Sequence, residues 1–283
     1  MDKINDKVIL ITGSTDGLGK QVALDLAAQG ATILLQGRNR EKGDQTLREI
    51  RQTTGSRKIE YYNADLSSLD EVRCLADEVT AKQKRLDVLV NNAGIGAGQQ
   101  GVGRELSKDG YELRFAVNYL SHFLLTLRLL ELLRSSAPSR IVNVSSVGQY
   151  PIDFDNVMLE KNYDGYRAYR QSKLAQIQFT FELADQLKGS SVTVNCLHPA
   201  SLMNTKMVME SSYFGAPMTT IAEGADAVEY LALSPELDGV SGEYFNQKQL
   251  GHANPQAYDE DARKRLWALS ERWVKLEKVS NCL

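Results

Sequence analysis

The sequence predicts an α/β protein built on one doubly wound parallel sheet of about seven strands, with helices on both faces. Short apolar runs alternate strictly with longer amphipathic ones. That pattern implies right-handed crossovers and a helix layer on each side of a parallel sheet. No Pro/Gly/Ser-rich linker, composition shift or internal repeat divides the 283 residues, so 1–283 reads as a single domain.

The strand runs are VILITGS (8–14), ATILLQG (31–37), KIEYYNA (58–64), LDVLVNNAG (86–94), RIVNVSS (140–146) and SVTVNCLHP (191–199), with GEYFN from 242 as the last. Each is short, rich in Val, Ile and Leu, and most close on Gly, Asn, Ser or Pro, as expected of strands buried on both faces. Helical patterns cover 17–30, 40–53, 68–84, 105–134 and 164–188, and EGADAVEYLAL precedes the last strand. A C-terminal helix is expected near 258–278, with Leu266, Trp267, Leu269, Trp273 and Leu276 as its apolar positions. The binding crevice of such a sheet lies beyond the carboxyl ends of its strands.

Composition narrows the partners. A net charge of −3 and the lack of a long basic run argue against nucleic acid and anionic membrane. Cys74, Cys196 and Cys282 are sparse and far apart, which predicts no disulfide framework and a reducing, cytoplasmic setting. The N-terminal apolar run lacks the order of a signal peptide. The leucine-rich LSHFLLTLRLLELLRSS carries Arg128, Glu131 and Arg134, so it reads as a core helix and no membrane span is expected. No clustered metal ligands are present. The apolar helices 105–134 and 164–188 suit either a homodimer face or the core.

The first strand ends in ITGSTDGLGK, where Gly13, Gly17 and Gly19 open into a helix. Glycines there permit a tight turn and leave helix N-terminal amides free for a pyrophosphate. The spacing TGxxxGxG resembles the short-chain dehydrogenase/reductase family, and the resemblance covers nearly the whole chain. TGSTDGLG (12–19) is followed by Asp65-Leu66, NNAG (91–94), Asn118, VSS (144–146), YRQSK (169–173) and HPA (198–200), in order and on successive strand ends. The resemblance implies a Rossmann-like fold and a nicotinamide cofactor held by Gly13, Ser14, Thr15, Gly17, Leu18, Gly19, Arg38, Asn39, Asp65, Leu66, Asn91, Ala93, Gly94, Tyr169, Lys173, Pro199 and Thr205.

Cofactor choice is read at the end of the second strand, which faces the adenosine ribose. An acid there binds the ribose hydroxyls and selects NAD, whereas a guanidinium pairs with a 2′-phosphate. LLQGRNR offers no acid but Arg38 and Arg40, which favours NADP(H) over NAD(H) despite Asp16 in the glycine turn.

The stretch YDGYRAYRQSK places Tyr163, Tyr166 and Tyr169 three residues apart. On a helix, Tyr163 neighbours Arg167, Tyr166 neighbours Arg170, and Tyr169 alone neighbours a lysine, Lys173. An ammonium one turn away, together with a nicotinamide cation in a water-poor cleft, is expected to draw the phenol down towards neutral pH. The family resemblance selects Tyr169 and Lys173 as the YxxxK pair and Ser146, rather than Ser145, as the carbonyl-polarising hydroxyl. It implies Asn118 as the residue that holds a water behind the lysine, and Tyr163 and Tyr166 are left as packing or cleft-wall residues. The resemblance implies that hydride moves to or from a carbonyl carbon while Tyr169 exchanges the proton.

The segment SLMNTKMVMESSYFGAPM (201–218) is apolar and adaptable, and in the family it is the mobile lid over substrate, here near 200–222. Together with the long 147–168 segment it resembles the branch of retinol-dehydrogenase-like enzymes and related carbonyl reductases. A hydrophobic aldehyde, ketone or alcohol is the expected substrate. A non-catalytic dinucleotide-sensing protein of the same fold is the main alternative. A hydrolase using Ser146 with His122 or His198 is disfavoured because no GxSxG elbow exists.

Overall fold

The computed structural model describes residues 4–213, 215–277 and 282. The strands are β1 (Val8–Ile11), β2 (Thr32–Gly37), β3 (Ile59–Asn63), β4 (Val88–Asn91), β5 (Ser139–Val144), β6 (Val192–His198), β7 (Tyr244–Asn246) and β8 (Gln249–Leu250). They form one sheet in the order β3-β2-β1-β4-β5-β6-β7-β8. All pairs are parallel except β7–β8, which pairs Phe245 with Leu250 and Asn246 with Gln249. This short antiparallel strand makes eight where about seven are predicted. It follows a turn in which Gln247 adopts a φ of 56°, and two residues carry too little pattern to read from sequence.

Helices α1 (Gly17–Ala28), α2 (Arg40–Thr54), α3 (Leu69–Lys82), α4 (Leu113–Phe115), α5 (Ser121–Ser135), α6 (Gly165–Gln186), α7 (Lys206–Met209), α8 (Ile221–Leu233) and α9 (Glu260–Val274) complete the chain. Strand alternation divides the core. Ile9, Ile11, Ile33 and Leu35 pack with α1 and α8 on one face. Val8, Leu10 and Leu34 point to the other, towards α3, α5, α6 and α9. Each fully buried side chain of this size stabilises by roughly 1.5–3 kcal/mol. Side-chain caps fix where helices begin: Asn39 accepts from Lys42 N, Ser68 from Glu71 N and Asp164 from Arg167 N. Such caps are worth about 1 kcal/mol each.

The helix expected from 105 begins only at Leu113. Residues 105–112 double back, with Leu106 bridging Glu112 and the Ser107 hydroxyl accepting from Tyr111 N. Buried Glu112 then caps α4 by accepting from Phe115 N at 2.7 Å. Between α4 and α5 the backbone widens into a π-helical turn, Ala116–Leu120. By length and composition Leu113–Ser135 could cross a membrane, but here it is mostly buried inside the fold.

The C-terminal helix covers the outer side of α5 and α6. Trp267 stacks on Phe179 at 5.9 Å and meets Phe123 edge-on at 5.0 Å. The faces considered for a homodimer are therefore covered at these residues by the chain's own α9. The helix stops at Val274, with Lys275 left-handed, short of the expected 278; Lys278, like Phe214 of the lid segment, lies outside the described residues. Beyond it, Cys282 is disulfide-bonded to Cys74 of α3, with Cα atoms 5.4 Å apart. This corrects the expectation of unpaired cysteines, and with it the ground for a reducing setting. The partners are 208 residues apart in sequence, so spacing gave no hint of the pairing.

Candidate active site

The strand order reverses between β1 and β4, which opens a crevice at their carboxyl ends. Its floor is tied together by Thr12, whose hydroxyl accepts from Asn92 N at 2.9 Å and Ala93 N at 3.0 Å. The glycines fit a closely approaching ligand. Gly13 has a φ of +64°, and a methyl group on it would lie 2.8 Å from Ala93 Cα. One on Gly19 would lie 2.4 Å from Asn92 Nδ2 and 2.6 Å from Gly13 O, so side chains are excluded where α1 starts. The α1 N-terminus thus presents its amides beside a turn narrow enough for a pyrophosphate.

Four of the candidate cofactor residues turn their side chains into the fold. Ser14 is fully buried and bonds Ile11 O and Gln36 N. Asn91 is fully buried and donates to Thr126 Oγ1 and Asn143 Oδ1. Leu18 and Leu66 belong to the two core clusters. Asn39 spends its side chain on capping α2, and Asp65 accepts from Ser67 N at 3.0 Å and pairs with Lys108 at 3.3 Å. Burial raises the Asp65 carboxyl, but the Ser67 bonds and Lys108 outweigh it and hold it below the usual range.

At the end of β2, Arg38 is exposed and makes no ion pair or side-chain hydrogen bond among the described residues. Asp16, the N-cap of α1, is engaged by Lys42 and lies 3.4 Å from Lys206. Burial raises its carboxyl, yet the bonds from Lys42 and Gly17 N, with both lysine charges, hold it below the usual range. Lys42 does not stand out in the sequence. It lies in the first turn of α2, four residues past Arg38.

The proton-handling candidates converge. Tyr169 (7% exposed), Ser146 (9%), Lys173 (3%) and Asn118 (0%) meet at the carboxyl ends of β4 and β5. Ser146 hydrogen-bonds the Tyr169 phenol. Ser145 instead donates to Lys173 O at 2.8 Å, a structural bond. Lys173 Nζ lies 5.9 Å from the centre of the Tyr169 ring and donates to Val144 O at 2.9 Å and Gln176 Oε1 at 3.0 Å. Asn118, in the π turn, accepts from Ile95 N and donates to Ile95 O and Ser172 Oγ. A methyl group on Gly94 would touch Asn118 Oδ1 at 3.4 Å and Lys173 Nζ at 3.7 Å, so Gly94 lies against both.

Burial dominates the electrostatics here. It pushes the Tyr169 phenol up, against the Ser146 hydrogen bond. It lowers the Lys173 ammonium to about 7. Burial and then the Lys173 charge bring His198 to about 4, and the same two causes bring His122 to about 3. Both histidines are neutral near pH 7. His122 Nε2 lies 3.1 Å from Thr12 Oγ1 and is committed to the core.

The other two tyrosines of the triplet have separate tasks. Tyr163 donates to buried Glu112 at 3.2 Å and accepts from Arg114 at 2.8 Å, which ties the segment entering α6 to α4. Tyr166 stacks on Tyr213 of the lid segment at 5.4 Å, so it walls the cleft. Across the mouth, Thr205 rests near Gly17 and Met207 against Gly94 and Gly96. Pro199 is buried at the end of β6 beside His198.

A dinucleotide crevice whose floor carries a buried Tyr, Ser and Lys defines an oxidoreductase of the nicotinamide-dependent kind. The family model for short chain dehydrogenase matches residues 7–214, and the chain belongs to that family. It is 38% identical to human retinol dehydrogenase 13 over 98% of this chain and 87% of the relative. It is 40% identical to human retinol dehydrogenase 11 over 93% and 84%. Among solved structures, a protein from Mycobacterium paratuberculosis superposes with a TM-score of 0.76 at 28% identity, covering 95% of this chain and 94% of that one. A short chain dehydrogenase from Escherichia coli complexed with NADPH superposes with a TM-score of 0.71 at 29% identity, covering 87% and 98%.

Proposed function

We propose that the protein interconverts a hydrophobic aldehyde or ketone and its alcohol, using NADP(H) in preference to NAD(H). The bound nicotinamide supplies or accepts the hydride. Tyr169 gives its proton to the developing alkoxide in reduction and recovers it in oxidation, while Ser146 donates a hydrogen bond to the same oxygen. Donors positioned in a water-poor site act most strongly where charge develops. Lys173 lies 5.9 Å from the centre of the Tyr169 ring, and Asn118 holds the Ile95 backbone next to Gly94, which lies against Lys173. The observation that carries this reading is the meeting of buried Ser146 and Tyr169 in front of Lys173.

Preference for NADP(H) is supported by the open Arg38 at the end of β2 and by Lys42, which neutralises Asp16. The solved relatives complexed with NADP and NADPH agree with it. The apolar substrate is supported by the methionine-rich segment over the cleft and by the retinol dehydrogenases among its relatives. The test is consumption of NADPH and of NADH across a panel of aliphatic, aromatic and polyene carbonyls. Turnover of apolar members with NADPH is expected; binding of NADPH with no turnover of any member would leave the dinucleotide-sensing reading in its place.

A further inference from the structure

Helix α6 carries a second cation beside the Ser146–Tyr169 pair. A methyl group on Gly148 would lie 3.4 Å from Ser146 Oγ, 3.8 Å from Tyr169 Cε1 and 3.7 Å from Arg170 Cγ. The stem of Arg170 therefore lies across Gly148 from the Ser146–Tyr169 pair. Its guanidinium lies 5.1 Å from the ring centre of Tyr166 and 5.6 Å from that of Tyr150. Tyr166 is itself backed by Tyr213. Two aromatic rings thus hold the side chain at the cleft wall without neutralising it.

The acids at this end of the helix are already engaged. Arg167 also faces Tyr150, but Asp153 pairs with it at 3.0 Å. Asp164 caps α6 through Arg167 N and accepts from Tyr213 Oη at 3.4 Å. Asp155 lies 3.6 Å from Arg265. Arg170 has no carboxylate partner among the described residues, and its Nε is buried without an acceptor. An arginine fixed by stacking presents a fork that matches a carboxylate, and little of its freedom remains to be lost on binding.

We infer that Arg170 forms an anion subsite, so that the substrate is an oxo acid or hydroxy acid with a hydrocarbon body. This inference rests on the reading above and sharpens it. The reacting carbonyl sits at Ser146 and Tyr169, the apolar lid covers the body, and the carboxylate meets Arg170. Arg170 acts on affinity and not on the chemical step, because its guanidinium points to the cleft wall aromatics and not to the phenol.

The test pairs ω-oxo acids of increasing length with their methyl esters, using NADPH and the full chain. Wild type should favour one acid over its ester by about ten-fold in kcat/KM, chiefly through KM. Arg170→Met should bring that ratio to about one, and Arg170→Lys should restore part of it. Calorimetric binding of the matching ω-hydroxy acid to the protein–NADP complex is measured alongside, with thermal melts to confirm folding. A wild-type preference for esters, or an unchanged ratio in Arg170→Met, overturns the subsite. Arg170-dependent binding of the acid without any turnover would sink the enzymatic reading and leave the subsite standing.

Discussion

Lys173 offers the most direct link between the site's geometry and a measurable quantity. Its side chain is 3% exposed, has no acid partner among the described residues, and titrates near 7 instead of the usual 10.5 because it is desolvated. The unfolded chain keeps that proton up to 10.5, whereas the folded chain releases it near 7. The unfolded state therefore holds more protons across this window, and stability rises with pH through it. The burden of burying the charge is full below pH 7 and disappears as pH climbs towards 10.5. Every pH unit separating the two values corresponds to about 1.4 kcal/mol, so the complete effect is on the order of 5 kcal/mol. Lys173→Met retains most of the volume and cannot ionise. Urea unfolding of the cofactor-free protein at a series of pH values should show wild type gaining about 1.4 kcal/mol per pH unit relative to the variant in the middle of the window. Parallel stability curves for the two proteins would show that the lysine is not desolvated as described, and its tuning role would fall with that. The same proton should be taken up when NADP binds near pH 8, because the ribose and phosphates favour the charged form. Calorimetry in two buffers of different ionisation enthalpy reads that uptake.

Ser146→Ala should lower kcat by roughly 10²–10³-fold, as removal of one positioned donor does, while NADPH titration shows unchanged binding. Arg38→Ala should raise the KM for NADPH by about ten-fold, the loss expected of one charge-assisted phosphate contact, and leave NADH kinetics alone; equal effects on both would remove Arg38 from the 2′-phosphate. Cys74→Ser should lower the unfolding midpoint, with a chain-entropy ceiling of about 5 kcal/mol for so long a loop. A reductant should destabilise wild type but not that variant.

Much of this architecture is legible because buried parallel strands announce themselves as apolar runs between punctuating residues. TGSTDGLG and VSS follow β1 and β5 and YRQSK lies within α6; the alternation places these segments, whereas the choice of Ser146, Tyr169 and Lys173 among their neighbours comes from the family resemblance. Long-range bonds are not legible. The helix expected from 105 is delayed to Leu113 by a bridge from Leu106 to Glu112 and by Asp109 accepting from Leu69 N. Asn91 reads like a cleft residue, yet its amide closes a chain with Asn143 and Thr180 inside the sheet. Lys42 and Arg170 are hidden because each owes its setting to a distant partner, Asp16 in one case and Tyr150 in the other. The direction in which the Tyr169 phenol moves in the cofactor-free protein escapes the sequence for a related reason: spacing reports an ammonium one turn away but not the desolvation of both groups.

Proton exchange by the third tyrosine of the triplet, and by neither of its neighbours, is checked most simply with two variants. Tyr169→Phe and Tyr166→Phe should both bind NADPH with wild-type affinity, yet only Tyr166→Phe should consume it in the presence of a reducible carbonyl. A Tyr169→Phe protein that turns over at the wild-type rate would contradict that assignment.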